Sequence, residues 1–509
     1  MRRVVIAGGG TAGWTVAAAL VKELGPLLTI TLVESDEIGS VGVGESTIPT
    51  ARGFHDLLGI SEQAFMAATG ASIKLGISFE NWSRIGDRYF HPFGITGRGT
   101  WMAGFQHYWL EARRAGLAGA YAEYSAESYA AASGRFAKGQ PGDLAYAYHL
   151  DAVAYARFLR TLAEPAGVLR VEGKIVSVEL DGETGDVTAL RLDRGERVEG
   201  DLFLDCTGFR ALLMNAVGAR FDDWSHWLMT DSALAVQSEG GGKVVPYTRA
   251  IAHPSGWRWR IPLQHRVGNG IVYASAFLDV DGARNQLLAG LDGVPLTEPR
   301  LVRYVTGHRP EPWTGNCIAL GLAAGFIEPL ESTSIHLIQT AVTRLLQSFP
   351  LAGVAPAIRA RFNAVSSDEW AHVRDFVILH YHATERDDSP FWKACRTMVI
   401  PDSLGTRLDA WREGAHAWQT GEDLFRTDSW AHVALGQRIM PHAWHELARA
   451  IPETELGRVF ESLAAGARRR VADLPDLGEF LRRYAPAEMT NYTFNDIRRS
   501  GLSSSSDPG

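Results

Sequence analysis

The apolar stretch Arg3-Val4-Val5-Ile6-Ala7 runs directly into Gly8-Gly9-Gly10-Thr11-Ala12-Gly13, and this junction constrains the fold more than any other part of the chain. In the spacing Gly8-x-Gly10-x-x-Gly13, the first glycine permits a tight turn and the second lets a phosphate approach the backbone. The third allows a helix to lie close against the strand. The pattern predicts a strand over 3–7, a helix from Thr11 to about Leu24 and a second strand over 28–33 that ends at Glu34. Glu34 lies 21 residues past Gly13, where a carboxylate can take ribose hydroxyls. Such a strand–turn–helix–strand unit opens a doubly wound parallel sheet, and the helix N-terminus offers free N–H groups to a dinucleotide's phosphates. The cofactor set read here is Gly8, Gly10, Thr11, Ala12, Gly13 and Glu34.

Composition excludes several classes. The 509 residues carry a net charge of −8 and are 46% hydrophobic, which describes a folded globular chain. No Lys/Arg run exceeds Arg468–Arg470, so no nucleic-acid footprint is expected. No window of 18 apolar residues is present, so no membrane span is expected, and Gly8–Gly10 interrupts the stretch that a secretion signal would need. Cys206, Cys317 and Cys395 match no zinc or redox spacing; they are expected to be reduced thiols in a cytoplasmic protein with no metal. Only six of the basic residues are lysines, so each one merits inspection.

Further along, 110–135 reads as helical and 169–198 as an antiparallel meander. Gly200–Gly208 (GDLFLDCTG) reads as a buried strand ending in a turn, and 245–280 as strands. After about Val342 the pattern is helical to about Tyr484. NAD and FAD both suit the fingerprint. The loop Val41–Pro49, with Gly42, Gly44 and Glu45, is long enough to lie along an extended cofactor. The strand carrying Asp205 and Gly208 resembles the one with which flavin monooxygenase-type folds close over the adenosine half of FAD. Both segments favour FAD. The fold class is therefore α/β, a Rossmann-like FAD-binding module of the flavin monooxygenase type with a mainly helical C-terminal substrate-binding subdomain. The boundaries are 1–345 for the module, 346–496 for the helical subdomain and 497–509 for a disordered tail.

In Gly256-Trp257-Arg258-Trp259-Arg260-Ile261-Pro262 the two tryptophans share one strand face. Together with Gly13-Trp14 and the VGVGEST segment at 41–47, this chain resembles the flavin-dependent halogenases, best known from the tryptophan halogenases. Ile73–Ile77, His91–Gly94, His107–Trp109, Phe326–Thr333, Arg374–Phe376, His380-Tyr381 and Arg386–Trp392 extend the resemblance from residue 3 to about 445. In that family, reduced FAD and O2 convert a halide to hypohalous acid, which travels to a lysine beside the substrate. The resemblance implies that Lys74 is this lysine, in an apolar setting that lowers its pKa, and that Glu331 is its catalytic partner. It also implies that Trp257 and Trp259 shield the flavin, that Thr333 and Ser334 bind halide, and that His91 and Phe93 flank the substrate ring. Ser334 stands where the family has glycine; serine resists positive φ and adds a Cβ near the anion, which points to bromide being accepted more readily than chloride. The tyrosine pair that holds free tryptophan in that family is not found around Trp430–His445, so indole or another electron-rich arene is the expected substrate. A separate flavin reductase is the implied partner. The competing readings are a flavin monooxygenase that hydroxylates an aromatic substrate and a non-catalytic flavin-binding protein. The paired tryptophans and the Lys74/Glu331 pair argue against the first, and retention of both candidate catalytic residues argues against the second.

Overall fold

The computed structural model describes residues 1–38, 44–139, 143–240, 242–421 and 423–487. Gly42 and the tail expected over 497–509 lie outside the described residues.

The strand Arg3–Ala7 sits inside a six-stranded sheet between Thr29–Glu34 and Leu202–Asp205, so Ile6 lies between Leu32 and Leu204. Leu169–Glu172 extends this sheet on one side and Cys317–Ala319 on the other; all these neighbours are parallel, and Trp313–Thr314 closes one edge antiparallel. Continuous apolar runs suit a parallel sheet covered on both faces, and Val4, Ile6, Leu32 and Leu204 are all fully buried. The helix spans Thr11–Leu24, as the glycine spacing predicts. Two glycines let it lie that close: Gly8 has φ +104°, and a Cβ on Gly13 would stand 1.8 Å from the Gly8 carbonyl oxygen.

Two expectations are corrected. The stretch 169–198 is not one meander, because Leu169–Glu172 pairs with Thr29–Glu34 in the parallel sheet. Only Ile175–Leu180, Val187–Leu192 and Arg197–Glu199 form the antiparallel unit. Alternation reports which residues face a core; it does not report which sheet a strand joins. The expected helix over 110–135 is interrupted, with helices Phe105–Arg114 and Ala126–Ser133 on either side of a turn in which Gly116 has φ +73°.

A seven-stranded sheet stands beside the first. Thr248–His253, Gly256–Pro262 and Val267–Tyr273 pair antiparallel, and Gly76–Glu80 joins Thr248–His253 in parallel, with Arg88–Pro92 outside it. A separate three-stranded seam has Ala147–Leu150 as its central strand, with Glu45–Ser46 on one side and Ser72–Lys74 on the other. Leu75, whose N–H donates to the Pro246 carbonyl at 2.7 Å, carries the chain from this seam into the seven-stranded sheet. Lys74 therefore stands at a sheet switch, one strand away from His91, which pairs with Ile77.

Beyond Phe326 the described residues contain no strand, and the helices begin at Ser334–Gln347. The 27-residue helix Pro356–His382 shares one core with the seven-stranded sheet, where Val373, Phe376 and Val377 pack among Phe79, Trp82 and Trp257. Glu369 and His380 lie on it ~16 Å apart along the axis. Among the described residues no helix is long and apolar enough to cross a membrane.

Candidate active site

A cavity of about 740 Å³ runs from the N-terminus of helix Thr11–Leu24 to the seven-stranded sheet. Gly8, Gly10, Thr11, Ala12 and Glu34 line one end, with Gly208 beside them; Gly44, Glu45, Trp257 and Trp259 line the other. The helix has no side-chain cap and no acidic residue in its first turn, so its positive end and free N–H groups face the cavity. A Cβ on Gly10 would meet no protein atom within 4 Å, so the open space there is on the ligand side. Gly13 lies behind, under the turn.

Glu34 is held in place. Arg170 Nε donates to its Oε1 at 2.5 Å, Trp14 Nε1 donates to its Oε2 at 3.2 Å, and Arg160 lies 3.4 Å away. Its side chain crosses Gly9, where a Cβ would stand 1.5 Å from Glu34 Oε2, so the glycine at the free position of the fingerprint has its own steric reason. Asp205 is a correction. Its carboxylate accepts from the Thr207, Leu213 and Met214 N–H groups and from the Thr207 hydroxyl, at 2.7–3.0 Å. It anchors helix Leu212–Ala216 and does not line the cavity.

Trp257 and Trp259 lie on one strand face with ring centroids 6.0 Å apart, and both line the cavity. The Trp259 indole N–H is buried without a protein partner, whereas the Trp257 indole N–H is directed to the Glu328 carboxylate. Gly270 leaves room for the Trp259 ring, since a Cβ there would come within 2.0 Å of it. The pair is both core and cavity wall. Burial pushes the Glu45 carboxyl on the seam up to about 7. Uncapped N–H groups, a backbone-open glycine, a held carboxylate and the unpartnered Trp259 indole N–H fit an extended flavin dinucleotide. Gly8–Gly13 and Glu34 would hold its phosphates and ribose, and the tryptophans would face its ring, where it supplies the redox chemistry.

Behind the seam is a second constellation. Lys74 is fully buried; its Nζ donates to the Thr47 carbonyl at 3.1 Å and to Ser332 Oγ at 2.7 Å, and it lies 5.0 Å from the Phe93 ring centroid. Burial pulls its pKa down to about 7, against the opposing pull of Glu331. Ser332, in the left-handed region at φ +62°, also lines the cavity. It is the residue that touches both compartments.

Glu331 is 1% exposed, yet it is held at about 2. Burial alone would raise it, but His91 and His380 outweigh burial. His91 Nδ1 lies 3.1 Å from both carboxylate oxygens and His380 Nε2 lies 2.9 Å from Oε1. His380 Nδ1 donates to the Phe376 carbonyl at 2.8 Å, which fixes the ring with Nε2 toward Glu331. An ionised acid thus stands next to a lysine poised between its charge states.

Thr333 is buried, its hydroxyl has no protein partner, and it precedes helix Ser334–Gln347, which has no side-chain cap. Ser334 lines the cavity and is not among the positive-φ residues; the left-handed position of this segment is Ser332. The backbone penalty expected for serine at 334 does not arise. Sequence reasoning assigned no role to Arg170, Arg160, Ser332 or His380. The HY pair at 380–381 and the strap 326–333 were visible as motifs, but the two arginines, over 120 residues from Glu34, carried no signal.

The family described as tryptophan halogenase matches residues 3–453. The solved structure of Xcc4156, a flavin-dependent halogenase from Xanthomonas campestris, superposes with a TM-score of 0.95 at 53% identity, covering 96% of this chain and 99% of that one. BrvH, a flavin-dependent halogenase from Brevundimonas sp. BAL3, gives 0.91 at 43% identity, with coverage of 96% and 99%. Tryptophan 7-halogenase RebH of Lentzea aerocolonigenes is 33% identical over 522 residues, 94% of this chain and 98% of the relative. The likeness covers fold and sequence over nearly the whole length and favours halogenation over hydroxylation, so this protein belongs to the tryptophan halogenase family and is a flavin-dependent halogenase.

Proposed function

We propose that the cavity takes FAD in its reduced form, supplied by a separate flavin reductase, and that the product is a halogenated indole or other electron-rich arene. When bound, reduced FAD supplies the two electrons with which O2 turns bromide or chloride into hypohalous acid. Trp257 and Trp259 wall this compartment and keep the arene out of it. The unpaired N–H groups at the start of helix Ser334–Gln347, next to Thr333 and Ser334, attract the halide. In this assignment residues 346–496 form the substrate-binding subdomain, with His91 and Phe93 flanking the ring.

The observation that carries the reading is the Lys74–Ser332 hydrogen bond, because Ser332 also lines the cavity and so one residue separates the two compartments. Lys74 donates to the hypohalous acid oxygen and aims the halogen at the arene. The carbon–halogen bond forms as the halogen–oxygen bond breaks, the departing hydroxide takes a proton from the Lys74 ammonium and leaves as water, and the proton lost by the ring carbon then restores the ammonium. Glu331, ionised and braced by two histidines, takes the proton that the ring carbon loses. The test supplies reduced FAD, O2 and bromide or chloride with indole and a panel of arenes, and looks for halogen isotope patterns by mass spectrometry. Halide-dependent products are expected; a hydroxylated product that forms equally well without halide would refute the reading.

A further inference from the structure

His149, fully buried on the central strand of the seam, belongs neither to the Lys74–Glu331 pair nor to the cavity lining. Its Nε2 lies 2.9 Å from Thr248 Oγ1 and its Nδ1 lies 3.3 Å from Ser72 Oγ. Ser72 Oγ donates to the Pro262 carbonyl at 2.5 Å, and Thr248 Oγ1 lies 3.2 Å from Ser46 Oγ. Both Thr248 and Ser46 line the cavity.

Counting protons fixes every direction in this chain. A backbone carbonyl only accepts, so the single hydroxyl proton of Ser72 is committed to Pro262. Ser72 Oγ must then accept, and Nδ1 of His149 carries the proton. Burial, reinforced by the nearby Lys74 charge, holds the imidazole neutral. Its Nε2 is therefore a bare lone pair, and Thr248 must donate to it. With its only proton used, Thr248 accepts from Ser46. The chain runs Ser46 to Thr248 to His149, and Ser72 to Pro262 closes it. Both hydroxyl protons at the cavity wall are turned inward, and only oxygen lone pairs face the ligand.

We propose that Ser46 and Thr248 form a hydrogen-bond acceptor pair that selects reduced over oxidised flavin, with His149 as the positioning residue that fixes their direction. Reduction adds N–H donors to the flavin ring at nitrogens that in the oxidised ring are acceptors. A wall of fixed acceptors pairs with the first and opposes lone pairs to the second. The idea rests on reading the cavity as the flavin site, and it gives a reductase-fed enzyme a means of taking reduced cofactor and releasing oxidised cofactor.

The test is anaerobic titration of the full-length protein with FAD and with chemically reduced FAD, followed by flavin absorbance and fluorescence. Wild type is expected to bind reduced FAD more tightly. Thr248→Val should lower the oxidised-to-reduced Kd ratio about tenfold, equivalent to about 30 mV in the two-electron potential of the bound flavin. Thr248→Ser should restore the ratio. Ser46→Ala should move it in the same direction as Thr248→Val, and His149→Leu should do so without touching the cavity, by freeing the Thr248 hydroxyl to turn. Equal weakening of both redox states, or no change in either, would overturn the selection. A wild-type protein that binds neither form would refute the flavin reading itself and this inference with it.

Discussion

Replacing Lys74 with methionine should abolish halogenation and remove a pH-dependent penalty that the buried amine places on the folded state. The amine is fully buried among Thr47, Ser332 and Phe93, and its pKa falls from the ordinary 10.5 to about 7. That difference corresponds to about 5 kcal/mol against the folded state while the lysine is charged. The folded amine loses its proton at lower pH than the unfolded one. Between pH 7 and 10.5 the unfolded chain therefore binds more protons, and stability rises with pH. Below pH 7 the penalty is fully present. From pH 7 to 9 it shrinks by about 2 kcal/mol. Methionine fills similar space without the charge, although it leaves the Thr47 carbonyl and the Ser332 hydroxyl without their donor, which costs about 1–3 kcal/mol for each buried group. The pH dependence of the wild-type–variant difference is free of that offset. Urea unfolding followed by tryptophan fluorescence at pH 7 and pH 9 should show the stability of Lys74→Met relative to wild type falling by about 2 kcal/mol from pH 7 to pH 9. A relative stability that stays constant or rises with pH would show that the buried amine is not the shifted group.

Three further perturbations follow from the site. Glu331→Gln keeps the shape and removes the charge, so halogenation should fall by at least about a hundredfold while flavin oxidation continues; turnover near wild type would leave Glu331 as an anchor for His91 and His380. Gly13→Ala places a Cβ 1.8 Å from the Gly8 carbonyl, so the variant should lose flavin binding and much of its stability in thermal unfolding; a stable variant that binds flavin would refute the close-contact argument. Glu34→Ala should weaken FAD binding about tenfold in a fluorescence titration; unchanged affinity would mean that the carboxylate serves only Arg170 and Trp14.

What was legible in the sequence was local. Gly8, Gly10, Gly13 and helix Thr11–Leu24 follow from one turn whose sterics are set within a dozen residues, and Trp257 and Trp259 share a face by strand alternation. Lys74 and Glu331 could be named as candidates because their motifs are contiguous. The Lys74–Ser332 contact joins residues 258 apart and depends on how the seam meets the strap, which spacing does not encode. Arg170 was hidden by the assignment of its strand to the meander; once that strand pairs with Thr29–Glu34, the guanidinium reaches Glu34. Asp205 failed in the opposite way. A carboxylate at a strand end after a cofactor motif suggested a ligand, but four protein donors within 3.0 Å claim it. His380 appears in an evident motif, but its role depends on which helix face meets Glu331, and that face is set by packing against Phe79 and Trp82.

The most direct test of the central proposal, that Lys74 aims hypohalous acid from the flavin compartment at the arene, is a product balance for Lys74→Ala with reduced FAD, O2, bromide and indole. Flavin oxidised, hypohalous acid trapped in solution and haloindole formed would be measured together. The account predicts near-normal flavin oxidation, trapped hypohalous acid and no haloindole. Haloindole at the wild-type yield would contradict it.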